Sequence, residues 1–160
     1  MRSIKDAIVY GASKCCYETI RDQQRQVAEA YLSGRDVFMS APTGSGKRFT
    51  FEIAPYAFDF MSSGSNAAVE EARSVCLVVV PLVALMNDQV ASLTSRGLSA
   101  ACVGSECSAD KLRDISNGKY KIVFGTPEAL LNNHRGIFRG SLKKYLKAVF
   151  IDESHCIAKW

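Results

Sequence analysis

No stretch of this chain is long and apolar enough to cross a bilayer as a helix. The longest run, residues 75–86, is broken by Pro81 and falls short of the roughly 20 apolar residues that a span needs. The first residues, Met1-Arg2-Ser3-Ile4-Lys5-Asp6, set an acid among bases and lack the continuous apolar core of a secretory leader. Membrane association is therefore not expected. Zinc-type spacing is also missing: Cys15, Cys16, Cys76, Cys102, Cys107 and Cys156 are scattered, with no C-x₂-C pair to begin a metal site. A reducing, intracellular setting with free buried thiols is the expectation. No excess of one charge exists either, since 20 basic and 16 acidic residues leave a formal net charge of +4, which favours a polyanionic partner only weakly. Repeats and low-complexity tracts are absent.

What is present is the composition of an ordinary folded domain. The 160 residues are 48% hydrophobic and 22% charged, enough for one core that removes roughly two-thirds of the unfolded surface from water. Short β-branched runs at residues 37–40, 75–80, 121–125 and 149–151, with a weaker one at 100–103, alternate with helical spacing at 22–32, 47–60, 82–95 and 108–117. Ser33-Gly34 and Asn117-Gly118 act as helix stops. This alternation predicts an α/β fold with a mostly parallel sheet and helices on both faces. Residues 62–73, opening with Ser-Ser-Gly-Ser-Asn, read as a mobile surface loop. Residues 1–16 read as a helical lead-in and 17–160 as the domain proper.

The segment Ala41-Pro42-Thr43-Gly44-Ser45-Gly46-Lys47-Arg48 has the spacing of a loop that cradles phosphate, in all but its last position. Small residues let successive backbone N–H groups turn inward on an anion, and Lys47 adds a charge for the β- and γ-phosphates. Gly-Ser-Gly turns are common in themselves; the apolar run before this one and the amphipathic helix after it supply the context the chemistry needs. Lys47 at a helix start opposes the helix dipole, a costly placement unless an anion sits there. The final position should carry Ser or Thr to hold Mg²⁺, and Arg48 occupies it.

A second element is Val149-Phe150-Ile151-Asp152-Glu153-Ser154-His155, where an apolar run ends in two carboxylates. In a parallel sheet ligands collect at the strand C-terminal ends, so these acids are expected to face the same crevice as the loop. Asp152 is the candidate Mg²⁺ ligand and Glu153 the candidate base for the attacking water. The alternative is a solvated strand end, and His155 alone reads as an ordinary polar residue.

Together, Ala-x-Thr-Gly-x-Gly-Lys and Asp-Glu-Ser-His resemble motifs I and II of superfamily 2 helicases, whose motor domains are RecA-like P-loop folds. Ile20-Arg21-Asp22-Gln23-Gln24, residues 80–90, Gly125-Thr126-Pro127-Glu128 and residues 155–160 narrow the resemblance to the RecQ DNA helicases, from about Tyr17 onward. The resemblance implies ATP and Mg²⁺ as cofactors and DNA as partner, single-stranded or at duplex junctions, bound with little sequence preference. It implies a catalytic set of Lys47, Asp152, Glu153 and His155, and ATP contacts by Thr43, Gly44, Ser45, Gly46, Lys47 and Arg48. Tyr17, Arg21 and Gln24 would read adenine, the amide pairing with its Hoogsteen edge; a hydrated glutamine-rich helix face is the plainer alternative. Pro81, Leu82, Thr126 and Pro127 would meet the DNA backbone, although proline at a helix start is routine. Trp160 begins the family's aromatic-rich loop. Lys143-Lys144-Tyr145-Leu146-Lys147 reads as a solvated helix face.

Three departures qualify the likeness. Arg48 repels a cation that a hydroxyl would ligate, and Thr50, two residues on, lies on nearly the opposite face of the helix. Asp22 stands where the family has proline. A second RecA-like domain and the strand that would follow Trp160 are not in these residues, so an incomplete sheet and no unwinding by this chain alone are expected. Family membership implies a nuclear location for a eukaryotic source.

Overall fold

The computed structural model describes residues 2–37, 46–104, 107–133, 136 and 142–151. The chain divides into two compact units, Met1–Ser74 and Val75–Trp160.

The first unit is helical. Helix α1 (Ile4–Lys14) opens with Ser3, whose Oγ accepts from the Asp6 N–H at 3.1 Å. It buries Ala7, Ile8 and Ala12 against α4 (Ala54–Ser62) and also meets α2 (Asp22–Leu32). The contact with α4 requires glycine at position 11, because a Cβ there would lie 2.9 Å from the Ile53 carbonyl oxygen and 3.1 Å from its Cβ. The single helix expected over 47–60 is two: α3 (Lys47–Glu52) and α4, separated at Ile53. Pro55 explains the break, having no N–H to donate back to Phe51. Residues 62–73, expected as a loop, contain helix α5 (Asn66–Glu71). Ser65 caps it, accepting from the Ala68 N–H at 3.2 Å, and Ala-Ala-Val-Glu-Glu suits a helix better than the polar opening suggested. Asp59, 1% exposed, accepts from the Ser74 N–H at 2.8 Å and so anchors the end of this unit to α4.

The second unit holds the sheet. Strands β1 (Val75–Val79), β2 (Ala100–Val103), β3 (Ile122–Gly125) and β4 (Leu146–Ile151) are all parallel, in the order β2-β3-β1-β4. The expected strands at 75–80, 100–103 and 121–125 are therefore present, and the one at 149–151 starts earlier, at Leu146. Of the strand expected at 37–40, only Val37 lies among the described residues. Period-two alternation divides the side chains between the faces. Val75, Leu77, Ala101, Val103 and Val123 pack with Ile115 of α7 (Ala109–Ser116). Cys102 faces the other way, its thiol 3.7 Å from Asn87 of α6 (Val83–Ser95). Helices thus cover both faces.

The basic run is not one helix face. Leu142–Tyr145 forms a short helix, α8, and Lys147 already belongs to β4. Pairing shifts between Val75↔Leu146 and Cys76↔Ala148, so Lys147 is the extra residue of a bulge. Among the described residues β4 is the outermost strand on its side of the sheet.

None of the five described cysteines is in a disulfide; Cys15 and Cys76 are buried as expected, Cys102 and Cys107 only partly. Cys16 is exposed instead, in a left-handed backbone (φ 62°) past the end of α1. Burial pushes the Cys107 thiol up, against opposing effects from the Gly104 backbone and Lys111.

Two outcomes follow from this packing. Gly11→Val forces backbone against backbone and should destabilise the first unit by about 1–3 kcal/mol, read as a lower urea midpoint; an unchanged midpoint would refute the close approach. A raised thiol pKa keeps Cys107 protonated near neutrality, so its alkylation should be slow at pH 7.5 and still accelerating at pH values where an ordinary thiol has levelled off.

Candidate nucleotide and nucleic-acid sites

Helix α3 begins directly after the glycine-rich segment. Its N-cap, Gly46, is left-handed (φ 80°, ψ 31°), a conformation that glycine adopts without steric cost. The space around it is equally restrictive: a Cβ would fall 2.2 Å from Gln24 Nε2. Lys47 and Arg48 follow, both exposed, while Phe49, Thr50, Phe51 and Glu52 are buried. Two neighbouring cations thus project from the start of the helix, and the apolar remainder is packed into the unit. Thr43, Gly44 and Ser45 lie outside the described residues.

Gln24 is the residue that ties this glycine down. It is 5% exposed, its Oε1 accepts from the Arg21 N–H at 2.9 Å, and its Nε2 donates to the Gly46 carbonyl at 3.0 Å. Both ends of the amide therefore serve the protein first. An amide oxygen has a second lone pair and an NH₂ a second hydrogen, so pairing with a base does not require either bond to break. Arg21 is close by, its guanidinium 3.5 Å from the position a Cβ on Gly46 would take. The plainer reading of a hydrated glutamine face fails for Gln24, which is buried.

Asp22, which departs from the family's proline, occupies the first turn of α2 and pairs with Arg25 at 3.1 Å. A carboxylate suits a helix N-terminus, so the helix starts where proline would have started it. The pair is exposed and contributes about 0–1 kcal/mol.

Tyr17 is half-buried, with its ring edge-on to Phe49 at 4.9 Å and its hydroxyl donating to Glu52 Oε2 at 2.5 Å. Glu52 is the residue that sequence reasoning missed. A carboxylate three places after Phe49 on an apolar helix face is the signal that could have found it, because a buried acid needs a partner. Thr50 is excluded as a stand-in for the missing metal-side hydroxyl. It is 6% exposed and its Oγ1 donates to the Lys47 carbonyl at 2.6 Å.

In the second unit, β1 and β3 deliver two further segments to the same sheet edge. The Val80 N–H donates to the Gly125 carbonyl at 3.0 Å, which holds the strand ends together. Leu82 is the N-cap of α6 and 59% exposed, with extended backbone and no side-chain cap, so no side chain of the cap residue occupies the first-turn amides. Thr126 differs. It is 7% exposed and its Oγ1 accepts from the Ala129 N–H at 3.3 Å, capping the turn that leads through Pro127 to a π-helical stretch, Ala129–Asn133. Its first role is structural. Ile151, opposite Val79 in register, ends β4; Asp152, Glu153, His155 and Trp160 follow and lie outside the described residues. Among the described residues no group of three or more His, Cys, Asp or Glu side chains is placed to hold a metal ion.

The Gly46→Ala variant should cost about 1–2 kcal/mol for the left-handed backbone and in addition displace the Gln24 amide. A wild-type melting midpoint in that variant would show that neither constraint operates.

Comparison with known proteins gives these features a family. A solved structure, the DUF1998 helicase MrfA bound to DNA and AMPPNP, shares the fold at TM-score 0.68 and 20% identity, covering 97% of this chain and 22% of that one. The sheet and its helices are accordingly those of a RecA-like domain. Among curated proteins, the ATP-dependent DNA helicase RecQ of Haemophilus influenzae is 31% identical over 150 residues, spanning 90% of this chain and 21% of the relative. ATP-dependent DNA helicase Q-like 5 of Arabidopsis thaliana is 33% identical over 157 residues, 96% of this chain and 15% of the relative. The hus2/rqh1 helicase of Schizosaccharomyces pombe is 31% identical over 151 residues, 88% and 10%. The chain therefore spans about a fifth or less of these three relatives. Residues 21–160 match the DEAD/DEAH box helicase family, and the chain belongs to that family.

Proposed function

We propose that this chain is the ATP-binding first motor domain of a RecQ-type DNA helicase, the part that grips nucleotide while a second RecA-like domain completes the motor. The observation that carries this reading is the left-handed Gly46 held by Gln24, with exposed Lys47 immediately after it. A backbone fixed in this way aims the start of α3 outward, and the Lys47 ammonium supplies charge for the β- and γ-phosphates. Tyr17, Arg21 and Gln24 form the adenine side. Asp152, Glu153 and His155 are assigned the hydrolytic roles, with Glu153 as the base. In the longer protein, turnover would drive 3'–5' translocation and duplex unwinding; the chain by itself would not unwind DNA.

The DNA track in this reading is Pro81, Leu82, Thr126, Pro127 and Trp160. The uncapped first turn of α6 suits a phosphate oxygen, and backbone contacts carry no sequence information. Binding should therefore tolerate any sequence. DNA work implies an intracellular location, and a nuclear one in a eukaryotic cell.

The residues at the metal position fit Mg²⁺ poorly. Arg48 places an exposed guanidinium where a hydroxyl is needed, and the Thr50 hydroxyl is committed to the Lys47 carbonyl. Nucleotide binding would then rest on backbone amides and two cations instead of a metal bridge. The same observation favours a second reading, a catalytically silent nucleotide- or DNA-binding module.

Two measurements test this. ATP affinity of the chain should change little when EDTA replaces Mg²⁺, whereas a steep loss would restore the metal to the binding step. In a version carrying the second motor domain, Arg48→Ser should raise DNA-stimulated ATP hydrolysis on the order of tenfold or more; equal rates would sink the assignment to Arg48. Stimulation by single-stranded DNA but not RNA would separate a RecQ-type motor from an RNA-directed relative.

A further inference from the structure

Helix α3 is gripped at both ends by the segment that precedes it in sequence. At its start, Gln24 bonds to Gly46; at its last residue, the Glu52 carboxylate accepts from Tyr17 at 2.5 Å and its backbone carbonyl accepts from the Cys15 thiol at 3.4 Å. Glu52 is 2% exposed, and burying a carboxyl group costs free energy that only well-made hydrogen bonds offset. The Tyr17 ring is held on a second side by Phe49, 4.9 Å away at 70°. Its hydroxyl and its edge are thus fixed to α3, and the half-buried ring keeps part of its surface open.

We infer that Glu52 is a positioning residue, which sets the plane of Tyr17 against α3 and thereby determines how much a nucleobase adds to the binding of a triphosphate. The inference rests on the adenine reading of Tyr17, Arg21 and Gln24. Its physical content is a shared reference frame: the helix that begins at the phosphate side also fixes the ring on the base side, so base and phosphates are read at a set separation. A purely structural Glu52 would support folding and affect every ligand alike. A positioning Glu52 acts only on the part of affinity that needs the base.

The test compares ATP with inorganic tripolyphosphate on the 160-residue chain by equilibrium titration, with circular dichroism and melting to follow the fold. Glu52→Leu, which removes the acceptor, should lower the preference for ATP over tripolyphosphate by roughly tenfold while leaving tripolyphosphate affinity in place. Glu52→Gln keeps an acceptor for the Tyr17 hydroxyl and should retain the preference. Tyr17→Phe keeps the ring and removes the donor; it should lower the preference as Glu52→Leu does, and the double variant should lose clearly less than the sum of the two, because both delete the Tyr17–Glu52 bond. If Glu52→Leu does not fold, Tyr17→Phe carries the same comparison. An unchanged preference in these variants, or an equal loss for both ligands, overturns the positioning role alone. A wild-type chain that holds tripolyphosphate as tightly as ATP overturns the adenine reading and this inference with it.

Discussion

One side-chain amide organises the helical unit around the start of α3. Gln24 spans from the Arg21 N–H to the Gly46 carbonyl, and it does so from a position closed to water. Neither bond could be replaced by solvent, so the start of α2 and the start of α3 are joined with little freedom between them. Gly46 completes the constraint, since its left-handed backbone and the nearness of Gln24 leave no space for a side chain. Gly46 itself is therefore held in place from the side of α2. An ordered site gives up less conformational entropy on binding than one that must be assembled.

The charges that this arrangement displays are unusual for a site of its type. Lys47 and Arg48 stand side by side in solvent, and two cations at a helix start are unfavourable together and with the helix dipole. Such a placement is relieved by a polyanion and worsened by a divalent cation. The neighbouring hydroxyl that could have softened this, Thr50, is turned back onto the helix and bonded to the backbone. The local electrostatics thus favour an anion over a cation at the start of α3.

In the sheet unit, two segments that leave the same edge have taken different physical roles. Leu82 starts α6 with exposed apolar surface and no side-chain cap, whereas Thr126 spends its hydroxyl on the turn that follows it. Amides left unpaired can serve a ligand, and amides already satisfied stabilise the protein. At the far side of the sheet, Lys147 interrupts the pairing of β4 with a charged bulge, and Val149 and Ile151 remain 53% and 47% exposed beyond it. Within β4, a bulge that disturbs pairing thus stands beside apolar side chains that packing would cover.

Much of this was legible in the residues. Alternating β-branched runs marked β1, β2 and β3 within a residue or so, because buried parallel strands are continuous apolar segments and the helices between them repeat at 3.6 residues. Stops such as Ser33-Gly34 and Asn117-Gly118 act through neighbouring backbone and are local by nature. The break at Ile53 and helix α5 were missed although local chemistry explains both, since a strong apolar period hid Pro55 and a serine-rich opening hid the alanines after it. The Gly-Ser-Gly-Lys spacing and the substitution at Arg48 were likewise evident from order alone.

What sequence order could not supply was partnership across distance. That Tyr17 finds Glu52, 35 positions later, that Gln24 faces inward instead of toward water, and that Thr50 is bonded and not available are outcomes of packing. The sequence by itself determined the class of fold, the approximate bounds of most strands and helices, and the chemical vocabulary of the site. Only the tertiary structure decided which of those groups are spent on holding the protein together and which remain for a ligand, because a hydrogen bond or a buried acid is assigned by the neighbours that folding brings within reach.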